Sequence, residues 1–247
     1  MTLPWRQAQN LFPSSVTRAS QRHSESAYPF ESVGLVVDNE YIPVKNCHRN
    51  PQEYFKVAPS VLIEYEGRIQ AIIHSHPEPQ PKFPSKQDQL AQQQWGIPFG
   101  IQLVNSQGAG NIAWWGDGVP VADYVGRPYI YGIYDCFSIW REYYREELGI
   151  HISNVPRNDE FWLNNDNIYA DNQAKLGFET VDIKDIKPYD LILIKIRSKI
   201  ANHGILYLGG DTGLHHLPYK LSSKDIVSRF MDPKKEIFDR VIRYTGI

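Results

Sequence analysis

Residues 74–88 read His74-Ser75-His76-Pro77-Glu78-Pro79-Gln80-Pro81-Lys82-Phe83-Pro84-Ser85-Lys86-Gln87-Asp88. The residues leading into them, Ile69-Gln70-Ala71-Ile72-Ile73-His74, have the apolar, β-branched character of a strand. Side chains two apart on a strand share a face, so His74 and His76 project together. A zinc ion in a catalytic site takes three protein ligands, and Asp88 is the candidate third. The intervening prolines restrict the loop, which lowers the entropy lost in holding that carboxylate. A plainer account fits the same letters, because Ser85-Lys86-Gln87-Asp88 also has the form of a capping box, with Ser85 capping a helix and Asp88 reaching back. The spacing alone leaves both readings open.

The chain has 247 residues, of which 42% are hydrophobic and 22% charged. That is ordinary for a globular protein with one large domain or two modest ones around packed cores. The net charge of −2 is spread without long runs of one sign, so nothing points to nucleic acid or to an anionic membrane surface as a partner. The longest apolar runs, such as Leu191 to Ile194, fall far short of the roughly 20 residues of a membrane-spanning helix. The first residues, MTLPWRQAQNLFPSS, lack the basic start and apolar core of a secretory signal. Cys47 and Cys136 give no disulfide framework.

Working outward from residues 74–88, strand character is expected at Val33 to Val37, Ser60 to Glu64 and Phe99 to Val104, with helices ending near Ala27 and starting after Pro84. The turn-rich run Ala113-Trp114-Trp115-Gly116-Asp117-Gly118-Val119-Pro120 marks a change of pattern. Beyond it a helix is expected from about Asp135 to Leu148, with Phe137, Trp140, Tyr144 and Leu148 on one face and Gly149 as its stop. Leu191 to Ile196 and Gly204 to Leu208 read as strands, followed by a turn over Gly209 to Gly213 into Leu214 to Leu217. Two α+β domains are expected, over residues 1–115 and 116–247.

The second half carries its own constellation. Cys136 opens the expected helix, where backbone N–H groups and the helix dipole favour an anion and predict a lowered thiol pKa. A nucleophilic cysteine needs a base and a group that orients the base, and His203 and His215 fall at or near the expected hairpin. Neighbouring strand residues face opposite ways, so at most one of His215 and His216 can point at Cys136. The alternative is a buried cysteine acting as a small apolar residue.

Both constellations resemble known families. The stretch His74-Ser75-His76-Pro77, six residues, then Pro84-Ser85-Lys86-Gln87-Asp88 is similar to the motif of the JAMM or MPN metalloproteases. Tyr28-Pro29-Phe30-Glu31-Ser32-Val33-Gly34-Leu35 is similar to that family's Pro-x-Glu-x-x-Gly-Leu segment, and the likeness spans roughly residues 17 to 112. It implies zinc held by His74, His76 and Asp88, with Glu31 as general base and Ser85 stabilising the oxyanion. Arg127-Pro128-Tyr129-Ile130-Tyr131-Gly132-Ile133-Tyr134-Asp135-Cys136 resembles the entry to the catalytic helix of the papain-like NlpC/P60 cysteine peptidases. Pro188-Tyr189-Asp190-Leu191 resembles their Pro-Gly-Asp-Leu strand with Tyr189 in place of glycine, and Asn202-His203-Gly204-Ile205-Leu206-Tyr207-Leu208-Gly209 resembles their histidine strand. That likeness implies Cys136 as nucleophile, His203 as base, His215 as the orienting residue and Tyr129 as a contributor to the oxyanion site. Phe137-Ser138 stands where many members have Ser-Gly.

The two modules in this order resemble the tail-assembly proteins of lambda-like phages. The resemblance implies a protein made in the host cytoplasm that acts at the virion tail tip. Its implied partners are other tail-tip proteins and the stem peptides of peptidoglycan, with the metal module processing a tail protein. It equally admits a structural morphogenesis factor whose peptidase modules serve as docking surfaces.

Overall fold

The computed structural model describes residues 11–246; residues 1–10, most of the stretch read above for a secretory signal, lie outside them. The chain divides into two compact units that meet between Ala122 and Asp123.

In the first unit, helix α1 (Ser14–Ala27) precedes strands β1 (Val33–Val37) and β2 (Glu40–Val44), helix α2 (Pro59–Glu64), strand β3 (Ile69–Pro77), helix α3 (Lys86–Trp95), and strands β4 (Phe99–Asn105) and β5 (Gly108–Trp115). The five strands form one sheet in the order β2-β1-β3-β4-β5. Only the β3–β4 pairing is parallel, and α3 makes the crossover it requires. Alternation along β3 then sorts the side chains. Ala71 and Ile73 join Val16 of α1, Val36, Ile112 and Trp114 in one core cluster. Ser75, on that same side, bonds the Ser32 hydroxyl at 3.0 Å, which in turn meets Ser24 of α1 at 2.9 Å. His74 and His76 face the other way, flanked by the rings of Phe55 and Trp115. Gly34 of β1 lies so close to the Tyr41 ring that an added Cβ would come within 2.2 Å of it, which accounts for glycine at that point of the motif.

One expected strand is a helix. Ser60 to Glu64 belong to α2, started by Pro59 in its first turn, with none of its residues buried. The apolar triplet Val61-Leu62-Ile63 mimics a strand locally, but Pro at a first helical position is preorganised for helix and no neighbouring strand pairs with it. The run Ala113-Trp114-Trp115 closes β5 and is buried or half-buried, so the change of pattern falls just after it.

In the second unit, helix α4 (Cys136–Leu148) is followed by a short helix α5 (Ile168–Asn172) and strands β6 (Phe178–Val181), β7 (Leu191–Ile194), β8 (His203–Gly209), β9 (Thr212–His215), β10 (Ser223–Ile226) and β11 (Phe238–Tyr244). The sheet is antiparallel throughout, in the order β10-β9-β8-β7-β11-β6. The expected face of α4 packs on it: Phe137, Trp140 and Tyr144 join Leu191, Leu193, Leu206, Leu214 and Ile242 in the core, with Leu148 at its margin. Each such fully buried large side chain contributes roughly 1.5–3 kcal/mol. Ile192, Ile194, Ile205, Val227 and Val241 form a second cluster. Gly149 ends α4 in the left-handed conformation, as the sequence predicts. Tyr189 adopts φ +77°, a backbone that suits glycine.

Candidate active sites

In the first unit the end of β3 and the start of α3 bring His74, His76 and Asp88 together, all buried, with their ligand atoms within 4.8 Å of one another. The two Nε2 atoms are 3.1 Å apart, and Asp88 approaches His74 at 3.4 Å and His76 at 3.6 Å. Bonds of about 2.0–2.1 Å at tetrahedral angles set ligand atoms about 3.3 Å apart, so the residues present fit a four-coordinate ion of that size. The far nitrogen of His76, Nδ1, bonds the Pro81 carbonyl oxygen at 2.8 Å, which turns Nε2 toward the cluster. The Pro-rich loop therefore works as an outer support for the histidine.

The capping-box reading of Ser85-x-x-Asp88 is realised, and the same Asp88 lies within reach of both histidines. Ser85 caps α3 by accepting from the Asp88 N–H (3.1 Å), while Asp88 Oδ2 accepts from the Ser85 N–H (2.8 Å) and from the Ser85 hydroxyl (2.6 Å). The other oxygen, Oδ1, is the one facing His74. A carboxylate has acceptor capacity on both oxygens, so capping and ligation do not compete. The Ser85 hydroxyl hydrogen is committed to Asp88. Burial works against ionisation of Asp88, but the two histidines outweigh it and hold the carboxyl far below its usual range.

Glu31 is buried just ahead of β1, which pairs with β3 at Val33 and His74. Its backbone is pinned on both sides, the N–H donating to the Pro51 carbonyl oxygen (2.7 Å) and the carbonyl accepting from Asn46 (3.0 Å). Gln80 donates to Oε1 at 2.8 Å, while Oε2 is buried without a hydrogen-bond partner. Burial pushes the Glu31 carboxyl up, opposed by His74 and His76. A buried, partly unsatisfied carboxylate with a raised pKa beside a ligand cluster is a better proton acceptor than an exposed one. Gln80 lies inside the quoted stretch but carries no motif signal of its own.

In the second unit Asp135 caps α4, accepting from the Phe137 N–H (3.0 Å), the Ser138 N–H (2.8 Å), the Ser138 hydroxyl (2.8 Å) and the Gly132 N–H (2.8 Å). Arg157 forms a buried ion pair with it and lies over the Phe137 ring at 4.6 Å. This holds the Asp135 carboxyl down at about 2, the Arg157 charge outweighing burial. Cys136, Tyr129, His203 and Tyr169 line one cavity of about 580 Å³. The Cys136 sulfur meets the Tyr169 hydroxyl at 3.6 Å and is approached by the Gly204 backbone N–H. Gly204 permits this close fit, because a Cβ there would come within 3.1 Å of the Tyr169 oxygen.

His203 Nε2 and His215 Nδ1 are 3.0 Å apart, which leaves Nδ1 of His203 for other chemistry. His216 faces elsewhere, with the Lys220 carbonyl oxygen at 3.2 Å and its ring edge-on to Tyr129. Burial, then Asp135, raise the Tyr129 phenol and keep it a donor. The thiol itself departs from expectation. Burial, then the Asp135 carboxylate beside it, push Cys136 up to about 11, overriding the helix terminus. Burial, followed by the neighbouring His215 and His216, lowers His203 well below its usual value. The resting pair is thus a neutral thiol with a neutral imidazole. Arg157 and Tyr169, which frame the cysteine, lie in stretches whose letters resemble no motif and whose proximity arises only from the fold.

The chain thus has the make-up of a two-module protein with a JAB-type unit followed by an NlpC/P60 unit. The model for prokaryotic homologs of the JAB domain matches residues 13–117, and that for the NlpC/P60 family matches residues 126–238. Tail tip assembly protein K of Escherichia phage lambda is 31% identical over 162 residues, covering 66% of this chain and 76% of the lambda protein. Its namesake from Escherichia phage N15 is 28% identical over 214 residues, covering 83% of this chain and 86% of that protein. The chain belongs to the family of these tail tip assembly proteins. The expected α+β class and the order of the two modules hold. Among solved structures, the NlpC/p60 domain of the peptidoglycan hydrolase SagA is matched with a TM-score of 0.34 and 21% identity over 49% of this chain and 89% of that one. Among the described residues no helix is long and apolar enough to cross a membrane.

Proposed function

We propose that this protein is a phage tail-tip hydrolase and assembly protein, produced in the host cytoplasm and carried to the tail tip of the virion, with other tail-tip proteins as partners. Its second unit would hydrolyse peptidoglycan stem peptides. The carrying observation is the cavity that holds Cys136 at a helix terminus together with a His203 whose Nε2 is occupied by His215. Cys136 gives its proton to the free nitrogen of His203, and the sulfur attacks the peptide carbonyl carbon while Tyr129 donates to the developing oxyanion. His203 returns the proton to the leaving amine, then takes one from the water that hydrolyses the thioester. The neutral resting pair means that this transfer happens on substrate binding, when water is displaced and the thiolate gains its partners.

The first unit is a zinc-dependent (iso)peptidase that processes a tail protein, with His74, His76 and Asp88 as the zinc ligands. When bound, zinc supplies a Lewis acid that polarises the scissile carbonyl and acidifies water. Glu31 accepts the proton of the attacking water and passes it to the leaving amine. Ser85 reaches the oxyanion only if its hydroxyl leaves Asp88. Zinc loading is expected to give about one ion per chain, lost in His74→Ala.

The neutral thiol also favours a second reading, in which the modules are docking surfaces for tail morphogenesis and hydrolysis is vestigial. Complementation separates the two. Infectious tails formed by Cys136→Ala and Glu31→Gln variants would make catalysis dispensable, whereas loss of infectivity with normal protein levels supports hydrolysis.

A further inference from the structure

Left-handed backbone is unfavourable for residues with a Cβ, and where such residues gather, the surrounding structure holds them there, commonly at a functional edge. Among the described residues, eight non-glycine positions have positive φ, and three of them line the Cys136 cavity: Glu160 (+50°), Arg197 (+49°) and Tyr219 (+61°). All three side chains are exposed, and Tyr219 is entirely so, at 102% of its reference surface. The loop carrying it is tied down on both sides. The Lys220 N–H donates to the Leu217 carbonyl oxygen at 3.2 Å, and the Lys220 carbonyl oxygen lies 3.2 Å from His216 Nε2. Ser222 exchanges bonds with the Arg127 backbone at 3.0 and 2.8 Å. An aromatic ring therefore stands in water on a tethered, left-handed backbone beside the cavity, where it contributes no burial to the fold.

We propose that this rim is a carbohydrate subsite that takes the sugar ring to which a stem peptide is attached. The inference rests on the reading of the Cys136 cavity as a stem-peptide hydrolase. A pyranose offers a flat C–H face and a polar edge. The Tyr219 ring matches the face, and the guanidinium of Arg197 and the carboxylate of Glu160 match the edge with donors and acceptors. An apolar peptide side chain calls for an enclosing pocket, whereas a ring standing free in solvent suits a ligand whose far side stays hydrated. The rim thus reads whether a peptide is still linked to its glycan.

Two measurements on the full chain test this. Tyr219→Gly removes the ring while relieving the left-handed backbone, so the fold is kept, and Tyr219→Trp retains a flat ring. In the first measurement, kcat/KM on glycan-linked stem peptide is divided by kcat/KM on released stem peptide; Tyr219→Gly is expected to lower that ratio about tenfold and Tyr219→Trp to hold it within about twofold. In the second, Cys136→Ala protein is passed over immobilised glycan strands stripped of peptide; it is expected to be retained, and the added Tyr219→Gly change to weaken retention about tenfold. An unchanged ratio, retention indifferent to Tyr219→Gly, or no retention at all overturns the subsite. If the wild type cuts neither substrate, the hydrolase reading fails separately, and the glycan retention still decides the subsite.

Discussion

The two candidate sites differ in how they treat charge. In the first unit, residues close in sequence gather around Asp88, and two histidines keep its carboxyl ionised despite burial. In the second, burial drives both Cys136 and His203 toward their neutral forms, and the Asp135 carboxylate beside the thiol is paired with Arg157. One site carries an ionised carboxylate between two histidines; the other favours a neutral thiol and a neutral imidazole. The difference teaches that a helix terminus alone does not favour a thiolate when burial, and then an anionic capping residue, disfavour the charged sulfur.

The comparison can be broken first at its strongest joint. Removing Arg157 by substitution with Met leaves the Asp135 carboxylate buried and unpaired at the head of α4, and chemical denaturation should register a loss of about 3–5 kcal/mol. Its pH dependence has a defined sign. The folded pKa of Asp135 is depressed from 3.8 to about 2, so its contribution is present above the ordinary value and lost as pH falls through about 2. An Arg157→Met protein as stable as the wild type would mean that the pair does not frame the cysteine.

Next in size is the reactivity of the thiol. In a Cys47→Ser background, alkylation of Cys136 by iodoacetamide should be slow at neutral pH and rise about tenfold per unit toward a plateau near pH 11, following the thiolate fraction. A rate that is fast and flat between about pH 6 and 8 would reveal a thiolate–imidazolium pair and erase the contrast between the sites.

Smaller effects sharpen it. Ser85→Ala removes the cap of α3 and should lower stability by about 1 kcal/mol while the zinc stoichiometry stays at about one, because Oδ1 of Asp88 is not the capping oxygen. Loss of zinc in that variant would show that the cap is what aims the carboxylate. Smallest is Tyr189→Gly, which relieves a left-handed backbone and should raise stability by about 0.5–1 kcal/mol, read as an upward shift in denaturation midpoint.

What the sequence revealed follows the same division. The clustering of His74, His76 and Asp88 was legible because its geometry is local: strand alternation pairs His74 with His76, and Asp88 follows in the first turn of a capped helix. That Asp88 caps α3 through one oxygen while the other faces His74 was not, since letters cannot say which carboxylate oxygen faces which partner. The Cys136 helix and its buried face were legible from periodicity, and so was the exclusivity of His215 and His216. Arg157, Tyr169 and the rim around Tyr219 were not, because only the folded chain brings residues so far apart to one cavity. The strand expected at Ser60 to Glu64 failed for a related reason: a short apolar triplet has no period, and Pro59 together with the lack of a pairing strand decided for helix. The raised thiol pKa was missed because helix polarity is readable in sequence and desolvation is not.

The most direct measurement is digestion of purified peptidoglycan by the zinc-loaded wild type, by Cys136→Ala and by His74→Ala, with released muropeptides read by mass spectrometry. The account predicts release by the wild type and by His74→Ala and none by Cys136→Ala. Equal release by Cys136→Ala, or none by the wild type, would contradict it.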